Sequence, residues 1–253
     1  MACYRSSSLS FFIVALLTVL ISPAISAGDS SYINPPVNVG SRSSIASYCE
    51  SWRLAVETNN AGTWNVTPSK CVSSINTYYI GGQFDSDYNL VARYALAFAG
   101  KVKNRLDGKD AWVFDIDETL LSNSEYYNKA HGSATYVSKK VQAQAFDASL
   151  KLYKGLKTLN FTIILLTGRN ESRRSTTEKN LWDVGYSGWE HLLMRSPEDK
   201  GKTATQYKSE QRSKMVKKGY KLHGNTGDQW SDLLGFAVAT RSFKVPNPLY
   251  YIA

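Results

Sequence analysis

The chain has 253 residues, of which 43% are hydrophobic and 20% charged. That balance belongs to a globular protein with a real core and excludes a disordered, collagen-like or disulfide-dense miniature chain. Thirty basic residues against 21 acidic ones give a net charge of +9, which suits a nucleic acid, an anionic surface or an anionic substrate without choosing among them.

Leu9 to Ile21 is an almost wholly apolar run behind a short segment carrying Arg5, and small residues follow at Ala24, Ser26 and Ala27. This layout predicts a secretory signal peptide over residues 1–27, since the run is too short for a comfortable membrane span. No later stretch is apolar enough to span a bilayer, so no membrane partner is expected once the signal is removed. Residues 28–43, rich in Ser, Gly, Asn and Pro, read as an extended arm.

Apolar residues at helical spacing predict helices over Ser44–Glu57, Val72–Ile80 and Asp87–Val102, making residues 44–105 a helical N-terminal extension. Cys3 leaves with the signal. Cys49 and Cys71 then remain as an even number in an oxidising compartment, and one disulfide is the default. It would close a loop of about 22 residues and constrain the unfolded chain by about 3 kcal/mol. The histidines, His131, His191 and His223, have no zinc-ligand spacing with these thiols. Sequons begin at Asn65, Asn160 and Asn170. Asn65, in a polar loop, is the expected glycan site. Asn160 opens an apolar strand and Asn170 crowds a motif described next, so both are expected to be little used.

From residue 111 the pattern alternates. Apolar runs predict strands over Ala111–Phe114, Phe161–Leu166, Leu192–Met194 and Tyr220–His223. Helices are predicted over Ala145–Leu159, Ser172–Val184 and Thr203–Lys218. Alternating strands and helices predict an α/β fold with a central parallel sheet flanked by helices. The first strand runs into Asp115 and Asp117, the second into Thr167-Gly168-Arg169, and the fourth into Gly224-Asn225-Thr226-Gly227-Asp228. Open parallel sheets bind ligands at the carboxyl ends of their strands. Carboxylates, a hydroxyl and backbone amides from distant sequence should therefore converge.

That set suits phosphoryl transfer. Asp115 can be the nucleophile, and Asp117 the acid for the leaving group and later the base for water. Thr167 and the amides after it, with Gly168 permitting close approach, can hold the phosphoryl group. Asp228 and Asp232 offer oxygen ligands that suit Mg²⁺, although Asp228 also reads as a helix N-cap. Lys200 to Lys221 contains eight basic residues against Glu210 alone. One of these lysines should reach the phosphate, and most of the others read as a solvated helix face. No aromatic ladder accompanies them, so a nucleic-acid partner is not expected.

The order of these motifs resembles the haloacid dehalogenase-like (HAD) phosphohydrolases. It is similar above all to the plant acid phosphatase and vegetative storage protein family, relatives of the class B and class C acid phosphatases. Cys49-Glu50-Ser51-Trp52-Arg53, Glu57-Thr58-Asn59-Asn60, Phe114 to Asn123, Gly224 to Leu234 and Pro246-Asn247-Pro248-Leu249-Tyr250-Tyr251 also carry the likeness. The resemblance implies a Rossmann-like HAD core within a single domain over residues 28–253. It also implies a small cap after the first core strand, at residues 124–145. Asp115 would form an aspartyl-phosphate, Lys208 would neutralise charge, and Asp115, Asp228 and Asp232, with the backbone carbonyl of Asp117, would hold Mg²⁺. His131 to Phe146 is shorter than in the relatives, so the cap is expected to be reduced. His223 stands where relatives carry an aliphatic residue and reads as a strand histidine.

The expected function is a secreted or vacuolar, Mg²⁺-dependent acid phosphatase acting on small phosphomonoesters. The alternative is a nitrogen-storage protein with vestigial catalysis. Some storage relatives replace the nucleophile, whereas this chain keeps Asp115. Storage-type relatives also make a homodimer an open partner expectation.

Overall fold

A computed structural model describes residues 42–64, 66–122 and 143–252. The predicted signal peptide, nearly all of the N-terminal arm, Asn65 and most of the predicted cap lie outside the described residues.

Three helices come first: α1 (Arg42–Glu57), α2 (Val72–Ile80) and α3 (Gln83–Ala99). Cys49 of α1 is joined to Cys71, in the short turn that leads into α2. Helix α3 begins four residues earlier than expected. Gly82, at φ 84°, makes a left-handed turn that brings Phe84 into the core beside Tyr79 and Tyr88.

The core sheet follows. Its strands are β1 (Asp110–Phe114), β4 (Thr162–Asn170), β5 (His191–Arg195), β6 (Lys221–Gly227) and β7 (Arg241–Lys244). All neighbours pair in parallel, in the order β5-β4-β1-β6-β7. Sequence reading missed β7. It is an edge strand in which only Phe243 is buried, so it lacks the continuous apolar run that marks its neighbours.

Side chains alternate across the sheet. Trp112, Phe114, Ile163 and Leu165 enter one core with residues of α3 and of α4 (Asp147–Thr158). Ala111, Val113, Ile164 and Leu166 enter a second core with Tyr207 and Met215 of α6 (Ala204–Lys217). Burial on both faces explains why β1 and β4 read as unbroken apolar runs. Helix α5 (Arg174–Asp183) adds Leu181 to the first core, and α7 (Trp230–Leu233) follows β6 directly. The predicted strand at Tyr220–His223 continues to Gly227, carried on by its pairing with both β1 and β7.

A short antiparallel pair, β2 (Leu121–Ser122) with β3 (Gln144–Ala145), closes the base of the segment after β1. The chain order reverses between β1 and β6, since β4 lies on one side of β1 and β6 on the other. That switch leaves a crevice at the carboxyl ends of these two strands. No helix among the described residues is long and apolar enough to cross a membrane.

Candidate active site

Asp115 follows the last residue of β1, and its backbone N–H donates to the Thr226 carbonyl of β6 at 3.0 Å. Asp228 follows the last residue of β6. The two carboxylates therefore stand side by side at the switch point because their strands pair in register, Phe114 with Thr226. Asp232 returns to the same place from α7. The carboxylate oxygens of Asp115, Asp228 and Asp232 lie within 4.8 Å of one another, and all three residues are buried.

Three buried carboxylates so close repel strongly, and Lys208 answers them. It projects from α6 into the cluster and donates to Asp115 Oδ1 at 2.5 Å and to Asp232 Oδ1. Burial disfavours the ammonium, but Asp115 and Asp232 outweigh it and hold Lys208 above the usual lysine range. Burial pushes the Asp115 carboxyl well up, Lys208 pulls it down, and the neighbouring carboxylates raise it again, with a net rise. Burial and Asp232 raise Asp228 to about 6, against the hydrogen bonds from Asn247 and Gln229.

The predicted N-cap role for Asp228 falls instead to its neighbour. Gln229 caps α7, and Asp232 accepts the Gln229 backbone N–H at 2.9 Å in a capping box. Asp228 is left to the site, where Oδ1 accepts the Thr119 hydroxyl at 3.1 Å.

Asp117 lies beyond the strand end, in a tight turn where the Ile116 carbonyl accepts the N–H groups of Thr119, Leu120 and Leu121. Glu118 takes a positive φ of 55° in that turn. Asp117 is less buried than Asp115 and accepts from Arg169 Nη2 at 2.7 Å and from Arg169 Nε at 3.1 Å. Arg169 in turn donates to Thr177 at 3.2 Å. Thr167 is buried, and its hydroxyl lies 3.4 Å from Asp117 Oδ2. Beside it, a Cβ added to Gly168 would meet nothing within 4 Å, so the space above that backbone is open.

Asp115, Asp117, Gly168, Lys208, Asp228 and Asp232 line one cavity of about 400 Å³, whereas Thr167, fully buried, is not in its wall. Arg169, Arg195 and Tyr250 complete its sides. A larger cavity of about 960 Å³ lies among α2, α3 and α4 beside the β2–β3 pair, and none of these residues lines it. The predicted site residues lie at the smaller one. An all-oxygen donor set with a fixed lysine fits a hard divalent cation beside a phosphate.

The basic segment divides by burial. Lys208 and Arg212 are inside, Lys202 pairs with Asp199 and Glu210, and Lys214, Lys217, Lys218 and Lys221 are solvated. Arg212 donates to the carbonyls of Asp232, Leu234, Phe236 and Ala237, pinning the loop behind Asp232. His223 is a buried strand residue bonded to Asp110 at 2.6 Å, remote from this cavity's wall. Asn160 and Asn170 are exposed at the two ends of β4. Sequence reading did not single out Arg169, Thr119 or Asn247. The motif strings containing them were visible, but no spacing rule says that Asn247 returns to Asp228.

Residues 38–253 match the family model described as HAD superfamily, subfamily IIIB (acid phosphatase). The chain is 44% identical over 213 residues to "Acid phosphatase 1" of Solanum lycopersicum, covering 81% of this chain and 83% of that one. It is 35% identical to "Vegetative storage protein 1" of Arabidopsis thaliana, covering 81% and 78%. Among solved structures, the class C acid phosphatase from Bacillus anthracis superposes with a TM-score of 0.56 at 20% identity, covering 80% of this chain and 86% of that one, which shows a shared fold.

Proposed function

The chain belongs to the acid phosphatases of HAD subfamily IIIB, and from that premise we propose that it hydrolyses small phosphomonoesters with Mg²⁺ through an aspartyl-phosphate on Asp115. The observation that carries this reading is the convergence of Asp115, Asp228, Asp232 and Lys208 on one cavity beside Thr167 and Gly168.

HAD phosphatases generally use a divalent metal, and Asp115, Asp228 and Asp232, with the Asp117 carbonyl, would hold it here. When bound, it supplies positive charge that offsets the repulsion between carboxylate and phosphate. Thr167 and the backbone amides after it hold the transferring oxygens, and Lys208 adds a second positive charge. The Asp115 carboxylate attacks phosphorus while Asp117 gives its proton to the departing oxygen. Asp117 then takes a proton from water, the water oxygen attacks phosphorus, and the bond between phosphorus and the Asp115 oxygen breaks, returning the carboxylate and releasing phosphate. Arg169 fixes the direction of Asp117 throughout.

We place the mature protein outside the cell or in the vacuole, on the signal-peptide layout of residues 1–27. The test of the reading is hydrolysis of an aryl phosphate at mildly acidic pH, with Mg²⁺ and with EDTA. Metal-dependent turnover supports it, and no turnover in either condition overturns it. The likeness to a vegetative storage protein favours one second reading, storage with weak catalysis. High abundance with negligible specific activity in the same assay would select it.

A further inference from the structure

Two of the motif strings supply none of the groups that react: Glu57-Thr58-Asn59-Asn60 and Pro246-Asn247-Pro248-Leu249-Tyr250-Tyr251, of which only Tyr250 reaches the cavity wall. They meet behind Asp228. The Asn247 Nδ2 donates to Asp228 Oδ2 at 2.7 Å, and both residues are buried. The amide orientation follows from its other end, because Asn247 Oδ1 accepts the Leu249 N–H at 2.9 Å. The backbone N–H of Asn247 donates to Glu57 Oε1 at 2.9 Å, and Lys244 donates to the other oxygen of Glu57 at 2.6 Å. Pro246 and Pro248 fix the chain on either side of Asn247.

Asp228 itself is nearly saturated. Among the described residues, Oδ2 accepts from Asn247 and from Gln229 Nε2, each at 2.7 Å, and Oδ1 accepts from Thr119 alone at 3.1 Å. A carboxylate has about four acceptor positions, two on each oxygen. The one that the described residues leave open is on Oδ1. All three donors are neutral, so they fix the carboxylate without cancelling the charge a cation needs.

We propose that Asn247 is a positioning residue for the divalent-metal site, holding Asp228 so that Oδ1 faces the metal, and that Glu57 sets Asn247. This rests on the metal-dependent phosphatase reading. Residues 190 positions apart in sequence thus act on one ligand. The helix that carries Glu57 is also tied by the Cys49–Cys71 disulfide.

The test is calorimetric titration of Mg²⁺ into the chelator-stripped full chain. Asn247→Ala should weaken Kd by about tenfold or more, the usual effect of removing a partner of a metal ligand, and Glu57→Gln by about threefold. The double variant should match Asn247→Ala alone, because Glu57 acts through Asn247. Excess Mg²⁺ should restore kcat to Asn247→Ala, which a general loss of structure would not allow. A Kd within about twofold of wild type for Asn247→Ala, or effects that multiply in the double variant, overturns the proposal. If Asn247→Ala does not fold, Glu57→Gln decides alone: a weakened Kd supports the proposal and an unchanged one overturns it. A wild type that binds no divalent metal overturns the site reading and the proposal together. A wild type that binds while Asn247→Ala binds equally well overturns the proposal only.

Discussion

Replacing Lys208 with Met removes the cation that lies between Asp115 and Asp232 while nearly keeping side-chain volume. Two unit charges 4.8 Å apart repel by about 3.5 kcal/mol at an effective dielectric of 20, and Lys208 offsets that repulsion on two carboxylates at once. Removing one partner of a buried ion pair costs about 3–5 kcal/mol, so urea unfolding of the metal-free variant at pH 7 should show a loss of that size. The loss has a pH signature. Asp115 is already raised on folding, and without Lys208 it holds its proton more firmly. The folded variant then binds more protons than the unfolded chain, so its stability rises as pH falls and the deficit narrows between pH 7 and about 5. Turnover should fall by about 10²–10³-fold. A metal-free stability within about 0.5 kcal/mol of wild type at pH 7, the range of ordinary surface changes, would show that Lys208 does not offset the carboxylate repulsion. So would a deficit that does not narrow on acidification.

Three further outcomes are expected. Asp228 is raised to about 6 in the metal-free fold, so that form gains stability as pH falls through about 6 towards the unfolded value, and metal must displace the proton. The Mg²⁺-induced rise in Tm should therefore shrink below about pH 6, and a pH-independent rise contradicts this. A Cβ on Gly227 would overlap Asp232 Oδ2 and lie 2.5 Å from the Asp232 Cβ, so Gly227→Ala must displace Asp232. Its Mg²⁺ Kd should weaken by about tenfold with native circular dichroism, and an unchanged Kd counts against the site. Reducing the Cys49–Cys71 disulfide should cost about 3 kcal/mol, or about 6–12 °C in Tm. A shift under about 2 °C would show that the loop is constrained by other contacts.

Much of this molecule was legible because its signals are local. β1 and β4 announce themselves as strands buried on both faces, and the polar residues at their ends mark the crevice. Lys208 follows from the family resemblance, while charge alone does not separate it from the other lysines of Lys200 to Lys221. What stayed hidden depends on tertiary contact. β7 is recognisable only once β6 offers it an edge. Arg212 looks like one more basic residue on a solvated helix, yet it is buried on backbone carbonyls because the loop after α7 folds over it. Asn247 and Glu57 carry no spacing rule that would join them. The start of α3 was missed because the left-handed turn at Gly82 serves the packing of Phe84 rather than a helical period.

In the proposed reaction Asp115 carries the phosphoryl group. Acid quench of the wild type turning over a labelled aryl phosphate, followed by peptide mapping, measures this directly. The peptide containing Asp115 should carry an acid-stable label that is absent, together with turnover, from Asp115→Asn. Turnover that survives in Asp115→Asn, or a label on a different residue, would contradict it.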